Sequence, residues 1–177
     1  MTRVTVTSNE NETIAAGEEL AQEISKIKTD RSIIIFLEGE LGAGKTTFTK
    51  GILKGFNYKE LVKSPTYNIV EIHETDKYRV FHFDLYRISE PIELEEIGIE
   101  EYLKELKSVS IFEWPKNGKG TLPSADFNVQ ILYKENGKDD RRELFRAPPR
   151  KRALEKLHRF ALASCHGKIK LFVTKTK

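Results

Sequence analysis

The chain has 177 residues, 32% of them charged and 38% hydrophobic, which is typical of one globular domain with a sizeable core. No apolar run approaches the roughly 20 residues of a membrane-spanning helix, and residues 1–10 lack the basic and apolar regions of a signal peptide. The single cysteine, Cys165, has no second cysteine for an internal disulfide, so we expect a cytoplasmic protein without a membrane contact.

The first third of the chain predicts the order strand, helix, strand, helix. Residues 3–7 alternate in hydropathy as a strand does, and Asn9 begins a capping-box pattern before a helix over 11–28. Residues 32–38 form a largely apolar, β-branched run, which is typical of a strand buried on both faces. A glycine-rich turn and a helix over 46–54 follow.

The middle of the chain continues the mixture of strands and helices. It predicts strands at 68–74 and 78–85, a helix over 91–106 that is interrupted near Gly98, and a strand at 109–113. Strands and helices that alternate in this way favour the α/β class.

The last part of the domain predicts a hairpin. After a loop over 115–123, strands at 127–133 and 143–146 flank the dipeptide Asn136-Gly137, which is typical of a tight hairpin turn.

The end of the chain is strongly basic. Residues 147–177 contain nine Lys or Arg and one acid, a net charge of +8. Because the whole chain carries +3, the preceding 146 residues carry −5. We therefore predict a domain over 1–146 and a basic C-terminal extension over 147–177, which is helical over 150–163 or flexible.

One motif carries specific chemistry. Residues 39–46 read GELGAGKT and fit the P-loop pattern G-x-x-x-x-G-K-[ST], between a buried strand and a helix. Glycines let the backbone turn so that successive N–H groups face an anion, and the helix dipole adds positive potential. Lys45 suits the β- and γ-phosphates of ATP, and the hydroxyl of Thr46 suits Mg²⁺. The nucleotide-binding residues expected here are Gly39, Glu40, Leu41, Gly42, Ala43, Gly44, Lys45 and Thr46.

Two acids end apolar strands, Asp84 after 80–83 and Glu113 after 109–112. Ligands of open α/β sheets collect at the carboxyl ends of the strands, and a P-loop enzyme needs an acid near its Mg²⁺. One of the two carboxylates could hold Mg²⁺ while the other orients or deprotonates the attacking water. The sequence leaves this assignment open, as it leaves open a surface ion pair for either acid.

Several classes of P-loop protein are excluded. The chain lacks the Asn-Lys-x-Asp and Asp-x-x-Gly motifs of GTPases and the Leu-Ser-Gly-Gly-Gln of transporter ATPases. A small-molecule kinase stays open, with Arg141 and Arg142 or Arg150 and Arg152 as an arginine-rich lid. A nucleotide-gated binding module without hydrolysis also stays open.

Three further motifs follow the P-loop in order: KSPTY at 63–67, HFDLYR at 82–87 and FEWP at 112–115. Together the four motifs resemble the TsaE family, bacterial ATPases of tRNA threonylcarbamoyladenosine biosynthesis, and the resemblance covers residues 3–146. It implies a P-loop NTPase-like domain whose mixed sheet has a parallel core with flanking helices and antiparallel strands. It also implies that hydrolysis of Mg·ATP supports a TsaB–TsaD complex, which modifies adenosine 37 of tRNA.

The resemblance also implies roles for individual residues. Lys45, Asp84 and Glu113 would be catalytic, and Thr46 and Glu113 would bind Mg²⁺. The remaining positions are nucleotide contacts at Thr47, Glu10 and Lys138, and a switch segment made of Ser64, Pro65, Thr66 and Tyr67. His82, on the same strand face as Asp84, is interpreted as a packing side chain, and Trp114 as a wall of the site or a partner contact.

The resemblance ends near Ala147, and the basic extension beyond it has three open interpretations. Its Lys and Arg side chains could contact tRNA phosphates, dock on the partner complex, or form a solvated tail without a role.

Overall fold

The computed structural model describes residues 2–65, 68–134 and 168–176. Within these ranges the chain forms seven strands and four α-helices, with short 3₁₀ turns at Leu85–Arg87 and Pro115–Gly118. In chain order the elements are β1 (Thr2–Thr7), α1 (Glu10–Ile24), β2 (Ile33–Glu38), α2 (Lys45–Gly55), β3 (Val70–Glu74), β4 (Arg79–Asp84), α3 (Ile92–Glu96), α4 (Ile99–Lys104), β5 (Ser108–Glu113), β6 (Phe127–Lys134) and β7 (Lys168–Lys175).

The strands form one mixed sheet in the order β1-β7-β6-β2-β5-β4-β3. The central strands β6, β2, β5 and β4 are parallel, whereas β1, β7 and β3 are antiparallel to their neighbours. This topology confirms the predicted α/β class with a parallel core and antiparallel additions. Among the described helices, none is long and apolar enough to cross a membrane.

The middle strand, β2, has apolar side chains on both faces. Ile33, Ile35 and Leu37 belong to the core beneath α1 and α2, and Ile34 belongs to a second core beneath α3 and α4. Phe36 packs at the edge of this second core. Burial on both faces places β2 at the centre of the sheet, so the loop that follows it opens at the carboxyl edge.

Helix α1 begins with the predicted capping box but ends earlier than predicted. The Asn9 side chain accepts a hydrogen bond from the Glu12 N–H at 2.9 Å, and the Glu12 carboxylate accepts one from the Ser8 N–H. The helix ends at Ile24, and the N–H of Ile27 reaches back only three residues, to the Ile24 carbonyl. Ile27 packs against the core from this turn, which explains why its spacing resembled a longer helix.

Helices α1 and α2 pack through glycines. A β-carbon built on Gly17 would lie 2.9 Å from the Cα of Gly51, and one on Gly51 would overlap the Ile14 carbonyl. The missing side chains therefore let the backbone of α2, the helix that follows the P-loop, approach that of α1.

The predicted helical stretch over 91–106 is two helices. Gly98 separates α3 from α4 with a φ of +70°, in the left-handed region. The predicted interruption at this glycine is confirmed.

The structure corrects the prediction for the end of the chain. Residues 168–175 are not an extension but strand β7, inserted between β1 and β6, and Leu171 and Val173 are buried in the core. The antiparallel partner of β6 is β7, paired from Phe127↔Lys175 to Lys134↔Lys168. Segment 143–146, the Asn136-Gly137 turn and the predicted helix over 150–163 lie outside the described residues.

Candidate functional site

The P-loop joins the end of β2 to the start of α2, as predicted. Gly42 and Gly44 have φ values of +79° and +100°, which side chains rarely adopt. A β-carbon on Gly39 would lie 2.6 Å from the carbonyl oxygen of Ile131 in β6. The three glycines are therefore required by backbone conformation at two positions and by close packing at the third. Leu41, between them, is 44% exposed.

Lys45 is only 5% exposed and bends back over the loop. Its Nζ donates hydrogen bonds to the carbonyl oxygens of Gly39 and Glu40, both at 2.8 Å. The same ammonium lies 4.0 Å from the centre of the Trp114 ring. A buried ammonium is thus held against the backbone of the loop, and an anion placed there would meet positive charge.

Burial lowers the pKa of the Lys45 ammonium, because desolvation penalises the charged form. The nearby carboxylates of Glu113, Asp84 and Glu40 act in the opposite direction. The ammonium is therefore part of a compact set of charges, with two buried acids facing one buried cation.

Asp84 and Glu113 end neighbouring parallel strands and are paired in register, Asp84 in β4 and Glu113 in β5. Both are buried, at 7% and 3% exposure. The two acids that the sequence places at strand ends therefore lie side by side at the carboxyl edge of the sheet.

Glu113 contacts the P-loop directly. Its Oε1 accepts a hydrogen bond from the Thr46 hydroxyl at 2.9 Å and lies 2.9 Å from Nε2 of His82. Thr46 and Glu113 thus bring two hard oxygen donors together, which is the type of donor that Mg²⁺ prefers. Mg²⁺ commonly takes one or two protein ligands and completes its shell with phosphate and water, so these residues fit that ion.

Asp84 holds the segment between α2 and β3. Its Oδ2 accepts a hydrogen bond from the Ser64 hydroxyl at 3.0 Å, and its Oδ1 accepts one from the N–H of Tyr86 at 3.1 Å. The buried Pro65 follows Ser64. The structure therefore brings Ser64, the first residue of the predicted switch segment, to Asp84.

The other predicted site residues differ in how they are placed. Thr47 is half-buried in the first turn of α2. Glu10, at the start of α1, forms an exposed ion pair with Lys50 at 3.2 Å. Thr66, Tyr67 and Lys138 lie outside the described residues.

Two further side chains, His82 and Trp114, contact the site. His82 is fully buried, as its interpretation as a packing side chain predicts, but it also contacts Glu113. Its position on the same strand face as Asp84 is the sequence signal for that contact. Trp114 has a φ of +59°, which turns the chain just after β5, and its ring lies 5.0 Å from that of Tyr86. The Trp114 ring thus lies beside Lys45, which agrees with its interpretation as a wall of the site.

The sequence matches a known family. A family model described as threonylcarbamoyl adenosine biosynthesis protein TsaE matches residues 7–144. A tRNA threonylcarbamoyladenosine biosynthesis protein TsaE from Haemophilus influenzae is 42% identical over 123 residues, covering 70% of this chain and 77% of that protein. The protein of the same name from Bacillus subtilis is 37% identical over 114 residues, covering 64% and 69%.

The fold has a solved counterpart. A crystal structure of Bacillus subtilis YdiB superposes with a TM-score of 0.64 and 23% sequence identity, covering 100% of this chain and 87% of that one. At this identity the superposition demonstrates a shared fold, with a mixed sheet between helices.

Proposed function

The chain belongs to the TsaE family of threonylcarbamoyladenosine biosynthesis, and from that premise we propose that it is an accessory ATPase. It binds and hydrolyses Mg·ATP to support a TsaB–TsaD complex, which forms threonylcarbamoyladenosine at position 37 of tRNA. The protein itself works in the cytoplasm and does not carry out the modification.

The observation that carries this proposal is the contact between Thr46 and Glu113. Their oxygens lie 2.9 Å apart although 67 positions separate them in the chain, and the buried ammonium of Lys45 belongs to the same cluster. A hydroxyl at the start of the P-loop helix, an acid at the end of the neighbouring strand and a P-loop lysine are the parts that Mg·nucleotide binding requires.

Each group has a role in this reaction. The N–H groups of the loop and Lys45 bind the β- and γ-phosphates, and Lys45 exchanges its carbonyl contacts for phosphate oxygens. Thr46 and Glu113 would hold the metal ion, which neutralises charge on the phosphates. Asp84, the acid paired in register with Glu113, orients the attacking water, and Ser64 couples that acid to the switch segment.

The expected turnover is slow in the isolated protein. In P-loop enzymes an arginine from a partner often supplies much of the transition-state stabilisation, and its addition raises the rate by roughly 10³- to 10⁵-fold. We therefore expect the TsaB–TsaD complex to complete this site. Contact between the basic extension over 147–177 and tRNA is one of three open interpretations of that extension, and this proposal does not depend on it.

The test is phosphate release from Mg·ATP by the purified full-length chain, with and without the TsaB–TsaD complex. Lys45→Ala and Glu113→Gln should abolish release in both conditions. The matched control is Lys54→Ala, because Lys54 lies in the same helix with 65% of its side chain exposed, and this variant should keep the wild-type rate.

Each contrary outcome points to a different function. Release that the complex does not stimulate, but a metabolite does, would replace the accessory role with that of a small-molecule kinase. Tight ATP binding without release, even with the complex present, would leave a nucleotide-gated binding module.

A further inference from the structure

Two histidines are buried on the face of the sheet that α1 and α2 cover. His73 in β3 is 3% exposed, His82 in β4 is fully buried, and their ring centres are 6.3 Å apart. Polar side chains in a core are costly unless they form hydrogen bonds. The two rings differ in this respect, and the difference points to a role for one of them.

His82 uses one ring nitrogen and leaves the other without a partner. Its Nε2 lies 2.9 Å from Oε1 of Glu113, whereas its Nδ1 is buried without a hydrogen bond among the described residues. Because a carboxylate accepts hydrogen bonds, Nε2 carries the ring proton and donates it. The contact with Glu113 thus determines the tautomer of the ring.

The carboxylate of Glu113 receives both of its hydrogen bonds on the same oxygen. Thr46 and His82 donate to Oε1, and the described residues provide no donor for Oε2. If Thr46 turns its hydroxyl oxygen toward a metal ion, only His82 continues to hold Oε1. The orientation of the carboxylate then depends on the histidine.

We propose that His82 is a positioning residue, which holds the Glu113 carboxylate in the orientation in which that group binds the metal ion. The inference rests on the proposed function, because it takes Glu113 as the metal ligand. Donors behind a metal ligand orient it, and their loss commonly weakens metal binding by about 10- to 100-fold.

His73 provides a matched control. It is buried in the neighbouring strand, but neither of its ring nitrogens has a hydrogen-bond partner among the described residues. Replacing it removes an imidazole of the same size from the same side of the sheet without touching Glu113. An effect of general repacking would therefore occur at both positions, whereas a positioning effect occurs only at His82.

The experiment measures binding rather than turnover. Calorimetry gives the dissociation constant of a non-hydrolysable ATP analogue in EDTA and in Mg²⁺. The constant in EDTA divided by the constant in Mg²⁺ is the metal factor, which is large when the metal ion strengthens binding. We expect His82→Leu to lower the metal factor about tenfold while the constant in EDTA stays unchanged. His73→Leu should keep the wild-type metal factor, and Glu113→Gln should lose most of it.

A second pair of variants serves if His82→Leu does not fold, which thermal unfolding without ligand would reveal. The amide nitrogen of glutamine reaches the position of Nε2, whereas that of asparagine reaches the position of Nδ1. His82→Gln should therefore retain the metal factor and His82→Asn should lose it.

The outcomes separate the two proposals. Equal metal factors in His82→Gln and His82→Asn, or an unchanged factor in His82→Leu, would overturn the positioning role if Glu113→Gln still lowers the factor. An unchanged factor in Glu113→Gln would overturn the metal role of Glu113, and the positioning role with it, while the P-loop assignment would stand on Lys45→Ala.

Discussion

The ammonium of Lys45 lies 4.0 Å from the centre of the Trp114 ring, so the P-loop cation is in contact with the only tryptophan of the chain. Nucleotide phosphates would compete for this ammonium, because they are stronger partners than an aromatic ring. The contact gives the site an internal fluorescent reporter.

We therefore predict that adding Mg·ADP changes the intensity of tryptophan emission in a saturable way. Lys45→Met, which keeps a long side chain but removes the charge, should abolish this change. A steady-state fluorescence titration checks the prediction, with Lys54→Ala as the variant that should respond like the wild type. A full response in Lys45→Met would place the nucleotide elsewhere.

Replacing each of the two acids by its amide should change a different measured quantity. Glu113→Gln should lower the metal factor, because Glu113 contacts Thr46. Asp84→Asn should keep the metal factor and lower phosphate release about 100-fold, since it removes the group that orients water. Calorimetry and single-turnover kinetics on both variants check the assignment, and the reverse pattern would exchange the two roles.

The glycine contact between α1 and α2 should be sensitive to a single methyl group. In Gly51→Ala the new β-carbon would overlap the carbonyl of Ile14, so we expect a loss of about 1–3 kcal/mol in the free energy of unfolding. Urea denaturation measures this change. Lys54→Ala, on the exposed side of α2, should cost less than about 1 kcal/mol, and an equal loss in both variants would contradict a specific clash.

The stability of the protein should fall in mild acid because of His73. Burial, with a further contribution from His82, lowers the pKa of His73 from 6.5 to about 4. Between these values the unfolded chain binds a proton that the folded chain does not, so stability is highest above pH 6.5 and falls toward pH 4. From pH 7.5 to pH 5 the loss at this site should be about 2 kcal/mol.

Urea denaturation at both pH values checks this, with His73→Leu as the comparison. The variant should lose about 2 kcal/mol less than the wild type over the same interval, because leucine does not titrate. If both proteins lose the same amount, other groups account for the acid sensitivity.

The parts of the site that the sequence predicts are those with a local cause. The P-loop glycines, Lys45 and Thr46 lie within eight positions, and each is required by backbone conformation or by charge. Asp84 and Glu113 could be predicted to meet because parallel strands end at the same edge of a sheet. In each case a short-range pattern and one general rule were sufficient.

The features that the sequence did not predict depend on distant partners. Strand β7 lies in the most basic part of the chain, where three lysines interrupt the alternation of Ile169, Leu171 and Val173. Its two neighbours are β1, at the start of the described chain, and β6. The contact between His82 and Glu113 likewise depends on the register of two strands. A local pattern shows which face of a strand is buried, but it does not show which strand lies beside it, because that pairing is set by the whole sheet.

The position of β7 has a consequence for biosynthesis. In the described part of the sheet, β1 pairs with β7, from Thr2↔Thr174 to Thr7↔Ile169. The strand translated first therefore cannot form its pairing until the strand translated last has been synthesised. A nascent chain that has not yet reached residue 168 leaves β1 and one edge of β6 unpaired, and open edges favour aggregation. Ribosomes that stop between β6 and β7 would therefore release products with the whole P-loop but an incomplete sheet, which are suitable targets for proteolytic quality control.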